Sequence, residues 1–333
     1  MVEYQEMTSF YAVNNEGQVP IVAGTEEPQT GNFIEKMEKN MEIKITSLDE
    51  EECVFDLIGV DASVANALRR ILLAEVPTVA IENVFIESNT SIIQDEVLAH
   101  RLGLIPIKVD PNSFEDYDES DGPTDLNTVV FKLEAFCEED PEKSSDENTM
   151  TVYSGDFEWI PQGNQEEKFP EGIRPVHDNI TLALLRPGQH IRLEAHCRKG
   201  IGKDHTKYSP SATASYRLLP QIDFKEPLRG DLAEELKGMC PMNVFDIEDL
   251  GSKGGKTAVV ARPRDCTMCR ECIRQEEWTD RVQLKRVADH FIFRVESVGS
   301  IAPEKIVQSA IGVLREKAYK FRDLVRDVDR TSG

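Results

Sequence analysis

The stretch DASVANALRRILLAEVPTVAIENVFIESNTSIIQDEVLAHRLGLIPIKVDP, residues 61–111, decides the fold class. It spells helix, strand, helix, strand, with every boundary marked. Asp61 or Ser63 can cap the first N–H groups of a helix. Val64, Leu68, Ile71 and Leu72 then recur at helical spacing, while Asn66, Arg69 and Arg70 take other positions. Pro77 stops this helix, because the residue before a proline is pushed out of the α region. Thr78 to Ile86, rich in β-branched and aromatic residues, predicts a strand. Ser91 and Gln94 stand in a capping-box relation ahead of a second helix. That helix carries Ile93, Val97 and Leu98 on one side and ends at Gly103, read as a C′ glycine.

Upstream, Met41, Ile43 and Ile45 alternate with charged residues, and Cys53–Val60 forms the next strand with Phe55 and Leu57 on one face. A hairpin through Ser47–Glu51 joins the two, and helices on one face of this small sheet give an α+β layer. Downstream of Pro111 the pattern becomes β-rich. An acidic loop over Phe114–Asp125 leads to an alternating strand at Thr128–Phe136, and a second acidic loop covers Glu138–Asn148. Further strands are expected at Met150–Tyr153, Ile180–Leu185 and Ile191–Cys197, the last introduced by the turn Arg186-Pro187-Gly188-Gln189. Near the C-terminus, Asp289–Ser297 reads as a half-buried strand with Phe291, Phe293 and Val295 inward. Pro303, after Ser300 or Ala302, suits a first helical turn. From Glu304 to about Val328, the residues Val307, Ile311, Leu314, Ala318, Phe321 and Val325 form a seam stepping by three and four. A seam this long reads as an interface helix; the competing reading is that it covers the chain's own sheet. Residues 1–40 are a polar arm, either a disordered tail or a segment with Phe10, Tyr11 and Phe33 as anchors on a partner.

A chain of 333 residues has room for two to three modules. No apolar run approaches a membrane span, and the acidic N-terminus lacks the basic region of an export signal. The net charge of -23 opposes docking onto a polyanion except through a local basic patch, so direct sequence-specific nucleic-acid binding is not expected. The seven cysteines then read as reduced thiols or metal ligands. Cys53, Cys137 and Cys197 fall in strand-like runs and belong to cores.

Cys240-Pro241 precedes Cys266, Cys269 and Cys272 in RDCTMCRECIR, with Gly251–Gly255 and a strand at Lys256–Val260 between them. A cysteine followed by proline, plus a C-x2-C-x2-C triplet, is the ligand set of one [4Fe–4S] cubane. A four-thiolate zinc site and no metal at all remain open alternatives. This cluster also supports a rival function, that of a ferredoxin-type electron-transfer protein. The segment GIGKDHTKYSPSATASYRLLPQ, residues 200–221, is a structured loop punctuated by Gly200, Gly202 and Pro210. It is no phosphate-binding loop, since its glycines are wrongly spaced and no Ser or Thr follows Lys203. His205 has neither nucleophile nor orienting carboxylate at hand, and reads as a buried hydrogen-bonding or partner-contact residue. No compact group of aspartates suits a catalytic metal pair, so the chain is read as non-catalytic.

ANALRRILLAEVPTVAIENV (65–84) and IIQDEVLAHRLGLIPIKVD (92–110) resemble the signature of the larger α-like subunit of archaeal and eukaryotic RNA polymerases. KDHTKYSP and TASYRLLP are similar to its insert-domain loop, and Tyr-Arg-Leu-Leu-Pro looks like the form shared by polymerases I and III. The resemblance implies a discontinuous dimerisation domain from residues 41–108 and 282–330. It places a β-rich insert at 109–222 and a small ferredoxin-like cysteine subdomain at 223–281, after the arm at 1–40. It implies a non-catalytic assembly subunit of the nucleus, nucleolus and nucleoplasm. Val64, Leu68, Ile71 and Leu72, with the C-terminal seam, would meet a small α-like partner. Arg69, Arg70, Gln94, His100, Arg101, Lys203, His205, Lys207 and Arg217 would hold the largest and second-largest subunits. Some archaeal members carry a cluster where Cys240, Cys266, Cys269 and Cys272 stand, and many eukaryotic members have lost those cysteines. The zinc-binding cysteines of the polymerase II form have no counterpart near Cys137.

Overall fold

A computed structural model of the chain describes residues 11–12, 19–22, 33–120, 122–139, 148–249 and 255–331. The strands of the N-terminal half are β1 (Tyr11–Ala12), β2 (Val19–Val22), β3 (Glu42–Leu48), β4 (Glu52–Ile58), β5 (Pro77–Asn89), β6 (Ile107–Lys108), β7 (Thr128–Phe136), β8 (Met150–Tyr153) and β9 (Glu158–Ile160). There follow β10 (Arg174–Pro175), β11 (Thr181–Leu185), β12 (His190–Ile201), β13 (Ser211–Phe224), β14 (Phe245–Asp249), β15 (Lys256–Val260) and β16 (Val282–Ser297). The helices are α1 (Phe33–Asn40), α2 (Ala62–Ala74), α3 (Asp95–Gly103), α4 (Gln165–Lys168), α5 (Asp231–Met239), α6 (Glu276–Thr279) and α7 (Pro303–Thr331). Among the described residues no helix is long and apolar enough to cross a membrane.

These residues fall into two compact units, each assembled from distant stretches. The first draws on the chain up to Thr46, on Val54–Asn66 and on Tyr216–Phe293. Its sheet has the order β1-β2-β16-β4-β3, with β13 also paired to β16. β2 joins in parallel, Ile21 opposite Arg286. Phe55 stacks on Phe293 with ring centroids 5.0 Å apart, and Tyr216 meets Phe291 edge-on. A further core gathers Leu228, Leu236, Phe245, Trp278 and Leu284, from around α5, α6 and the β14–β15 hairpin.

The second unit takes Ser47–Cys53, Ala67–Ser215 and the chain from Arg294. Its four-stranded antiparallel sheet runs β5-β12-β7-β9. One core unites Leu98 and Leu102 of α3 with Ile81, Phe131, Leu133 and Leu193 of the sheet. β7 and β8 have the bounds that alternation predicts, while β5, β12 and β16 run longer, because pairing extends a strand past the end of its apolar pattern. In the turn before β12, Gly188 holds φ +80° and Gln189 N–H donates to Arg186 O at 2.9 Å.

Several expectations are corrected. Asp61 does cap α2, its Oδ1 accepting from Ser63 N–H at 2.8 Å. The Ser91–Gln94 box, however, does not form: Gln94 makes no side-chain cap. Asn89 takes over the turn, accepting from Ser91 N–H at 3.0 Å and donating to Asp95 Oδ1 at 2.7 Å. Gly103 is the last helical residue of α3 rather than its C′ position, which falls beyond Leu104, and a Cβ there would make only an ordinary contact, 3.4 Å from Ile81 O. The segment expected as a loop to Gln221 becomes strand β13 from Ser211. Phe10, the side chains of Tyr11 and Phe33, residues 140–147 of the second acidic loop, 251–254 of the glycine-rich connection and the side chain of Val328 lie outside the described residues.

Candidate partner interface and thiol pocket

α7 is two helices in one. Ile306 and Ala310 near its start are fully buried, whereas every described side chain from Arg315 onward is exposed. The exposed part carries Tyr319, Phe321 (70 %), Leu324 (64 %) and Val325. Of the expected seam, Val307 and Leu314 are half-buried, and Ile311, Ala318, Phe321 and Val325 face solvent. Leu324, three residues after Phe321, and Tyr319 widen the apolar stripe and were missed by the strict seam count. Lys317 donates to Glu75 at 2.7 Å where the helix leaves cover, an exposed pair worth about 0–1 kcal/mol. A large apolar face left in water marks an association surface.

The expected contacts on α2 divide differently. Leu68, Ile71 and Leu72 are buried, so they serve the chain's own interior and are withdrawn from the partner surface. Val64 and Arg69 are half-buried, and Arg70 is exposed. A second exposed apolar group, also missed, runs along edge strand β3, with Ile43, Ile45 and Leu48 on the strand and Met41 just before it. Its alternation was legible, but not that neither face of the strand would be covered.

The residues between β12 and β13 bring the other expected contacts together. Lys203 N–H donates to Ala74 O at 2.7 Å, sealing the end of α2. Gly202 fits there because a Cβ would stand 2.5 Å from Leu73 O. Lys207 Nζ donates to Ile81 O at 2.9 Å and pairs with Glu82, which also accepts from Tyr208 Oη at 2.8 Å. Burial would raise the Glu82 carboxyl, but its bonds from Lys207 and Tyr208 prevail and hold it below the usual range. Tyr208, itself buried, has its hydroxyl pushed up by burial and by Glu82. His205 is exposed rather than buried, its Nδ1 accepting from Lys207 N–H at 3.1 Å, with His100 6.3 Å away ring to ring. Arg101 is exposed, yet its Nη2 donates to Thr181 O at 2.8 Å. Gln94 is exposed. Arg70, His100, Arg101, Lys203 and His205 are all exposed basic side chains of the second unit, and together are termed its basic rim. Arg217 belongs to the first unit, where it lies in β13 and donates to Arg264 O at 2.6 Å and Cys266 O at 3.5 Å.

Cys240, Cys266, Cys269 and Cys272 line one cavity with Ile222, Val244, Phe245 and Leu284. Met268 and Arg270, on either side of Cys269, hold φ +59° and +66°, left-handed geometry that costs a non-glycine residue about 1–2 kcal/mol. Val244 N–H reaches Cys240 Sγ at 3.5 Å. Burial first, then the neighbouring Cys266, Cys240 and Cys269, push the Cys272 thiol up to about 12, so a metal would have to displace its proton. In kind, the four donors fit a thiolate-held metal. The cavity between them is about 10 Å³, and among the described residues no group of three His, Cys, Asp or Glu side chains is gathered tightly enough to hold an ion. The electron-transfer reading therefore finds no support in the geometry. Cys53, Cys137 and Cys197 are buried, as expected of core thiols.

Comparison with known proteins follows these surfaces. Residues 54–318 match the RNA polymerase Rpb3/Rpb11 dimerisation domain. The chain is 50% identical over 298 residues to the DNA-directed RNA polymerases I and III subunit RPAC1 of Bos taurus, covering 87% of this chain and 86% of that one. It is 45% identical over 302 residues to RPAC1 of Saccharomyces cerevisiae, 87% and 89% covered. It is 35% identical over 290 residues to the archaeal subunit Rpo3 of Methanosphaera stadtmanae, 86% and 99% covered. A discontinuous α/β body with an uncovered apolar helix and this extent of identity have one reading: the chain belongs to the RNA polymerase Rpb3/Rpb11 dimerisation family.

Proposed function

We propose that this chain is a non-catalytic assembly subunit of the DNA-directed RNA polymerases I and III. It heterodimerises with a small α-like subunit through α7 and, on that platform, holds the two largest subunits by the basic rim. The observation that carries the reading is α7 itself, with Phe321, Leu324 and Val325 exposed along the part of the helix that the chain leaves uncovered. The relatives from Bos taurus and Saccharomyces cerevisiae are named as subunits of polymerases I and III, which supports the shared assignment and a place in the nucleus and nucleolus. Residues 223–281 are read as a ferredoxin-like subdomain; the separate core around Trp278 supports that reading. Cys240, Cys266, Cys269 and Cys272 are the residues that would hold a structural iron–sulfur cluster, with zinc or no metal at all as the alternatives. Such a metal would cross-link loop segments and would play no part in RNA synthesis.

Co-expression with the small α-like subunit tests the central claim. Wild-type chain should co-purify with it in equal amounts. Leu314→Asp should abolish capture, because a charge would be buried unpaired in the interface, at a cost of about 3–5 kcal/mol. Undiminished capture by that variant would end this assignment of α7.

A further inference from the structure

In the first unit, four strands paired in the succession β3, β4, β16, β13 each supply one polar side chain to a network around Arg264, which His290 joins through Asp56. From β4, Asp56 accepts from Arg264 Nη1 with both oxygens, at 2.8 and 2.6 Å. From β3, Thr46 Oγ1 accepts from Nη2 at 3.3 Å. From β16, His290 Nε2 lies 2.9 Å from Asp56 Oδ2 and holds that carboxylate in place. From β13, Arg217 donates to the carbonyls of Arg264 and Cys266. Strand alternation explains the shared face. Phe55, Tyr216 and Phe291, each adjacent in sequence to one of these anchors, meet in the aromatic cluster with Phe293. Asp56 is only 5 % exposed, and a buried carboxylate persists only when paired and hydrogen-bonded.

We infer that Asp56, His290, Thr46 and Arg217 form a clasp on Arg264 that sets the cysteine loop, so that the sheet, and not whatever the thiols bind, positions the sulfurs of Cys266, Cys269 and Cys272. These are positioning residues. The loop keeps the left-handed turns at Met268 and Arg270 because its entry is tied down just before Cys266. This inference rests on the convergence of the thiols. It depends neither on the polymerase assignment nor on a bound metal.

Alkylation of the full-length chain by iodoacetamide, with and without prior chelation, followed cysteine by cysteine in the mass spectrometer, tests it. Metal content is measured on the same samples. Cys269 is exposed and should react in every sample; Cys272 is buried and should be protected in wild type even after chelation. Cys197, buried in the second unit, reports any global unfolding. Arg264→Ala should speed Cys272 alkylation by about tenfold to a hundredfold, the factor that loss of one charge-assisted hydrogen bond gives in a local opening equilibrium. Arg264→Lys, which keeps the charge against Asp56, should restore part of the protection. If Arg264→Ala also exposes Cys197, Arg217→Ala, a change at an exposed position, replaces it and should give the same selective effect. Chelation of wild type exposing Cys272 as fully as these variants would show that metal sets the loop and would overturn the inference. So would unchanged protection in Arg217→Ala together with Arg264→Ala.

Discussion

Asp56 sits in a strand where alternation accounts for its neighbours Phe55 and Leu57 but assigns Asp56 only to the opposite face. Burial alone would raise its pKa; hydrogen bonds from Arg264 and His290 outweigh that and hold it below its ordinary 3.8. A carboxylate depressed on folding contributes stability that is fully present above the unfolded value and lost as pH falls through the folded one. The cysteine loop should therefore stay clasped at neutral and mildly acidic pH and let go only below about pH 4. Fluorescence of Trp278 in a Trp159→Phe background, followed during acid titration, checks this; release above about pH 5 would contradict it. Gly202 sits tight against the end of α2. Adding a methyl group against Leu73 O forces the backbone apart, so Gly202→Ala should lower stability by about 1–3 kcal/mol, read from urea unfolding. It should also loosen the basic rim that Lys203 and His205 share. Neither residue's role was legible from sequence: Asp56 and Arg264 are 208 positions apart, and no local pattern links them.

α7 is the element whose two halves obey different masters. Ile306 is fully buried, and Ile306→Ala should destabilise the lone chain by about 2–5 kcal/mol. Phe321→Asp should leave the lone chain's stability within about 0.5 kcal/mol while abolishing capture of the small α-like subunit. Thermal unfolding of the two variants, set beside a pull-down, separates the halves; equal losses in both assays would mean that the helix is core throughout. The seam from Val307 to Val325 was readable because helical periodicity is local. Where the seam stops being covered was not, since spacing shows which side is apolar without showing what it meets. α2 teaches the reverse: Leu68, Ile71 and Leu72 form as good a stripe, yet they are buried at home. At the start of α3, the Ser91–Gln94 box lost to Asn89, whose carbonyl and amide both found partners in the same turn.

Across the whole molecule, exposed apolar rows on α7 and β3 make the isolated chain a subunit in need of company. By mass action, a partner that binds only the folded chain raises its stability by about 2.7 kcal/mol at a hundredfold excess over Kd. Co-purified heterodimer should accordingly melt at a higher temperature than the lone chain, and the lone chain should self-associate as its concentration rises. A concentration-independent monomer whose melting ignores the small α-like subunit would contradict this. Affinity purification under anaerobic conditions, with iron and zinc analysis, decides independently whether the thiol pocket holds a metal and which. The Cys269→Ala chain should keep its sheet and its partner whether or not a metal is found.

Sequence alone determined the alternation of helix and strand over residues 61–111, the β-rich middle, the C-terminal apolar helix and the clustering of Cys240 with the Cys266–Cys272 triplet. All of these follow from periodicity, caps and spacing, which act over a few residues. Tertiary structure alone decided which apolar stripes remain in water, that Arg217 serves the cysteine loop rather than the basic rim, and that Asp56 and Arg264 meet. Those outcomes depend on which surfaces and charges the folded chain places side by side, and pairing between distant positions leaves no mark in local spacing.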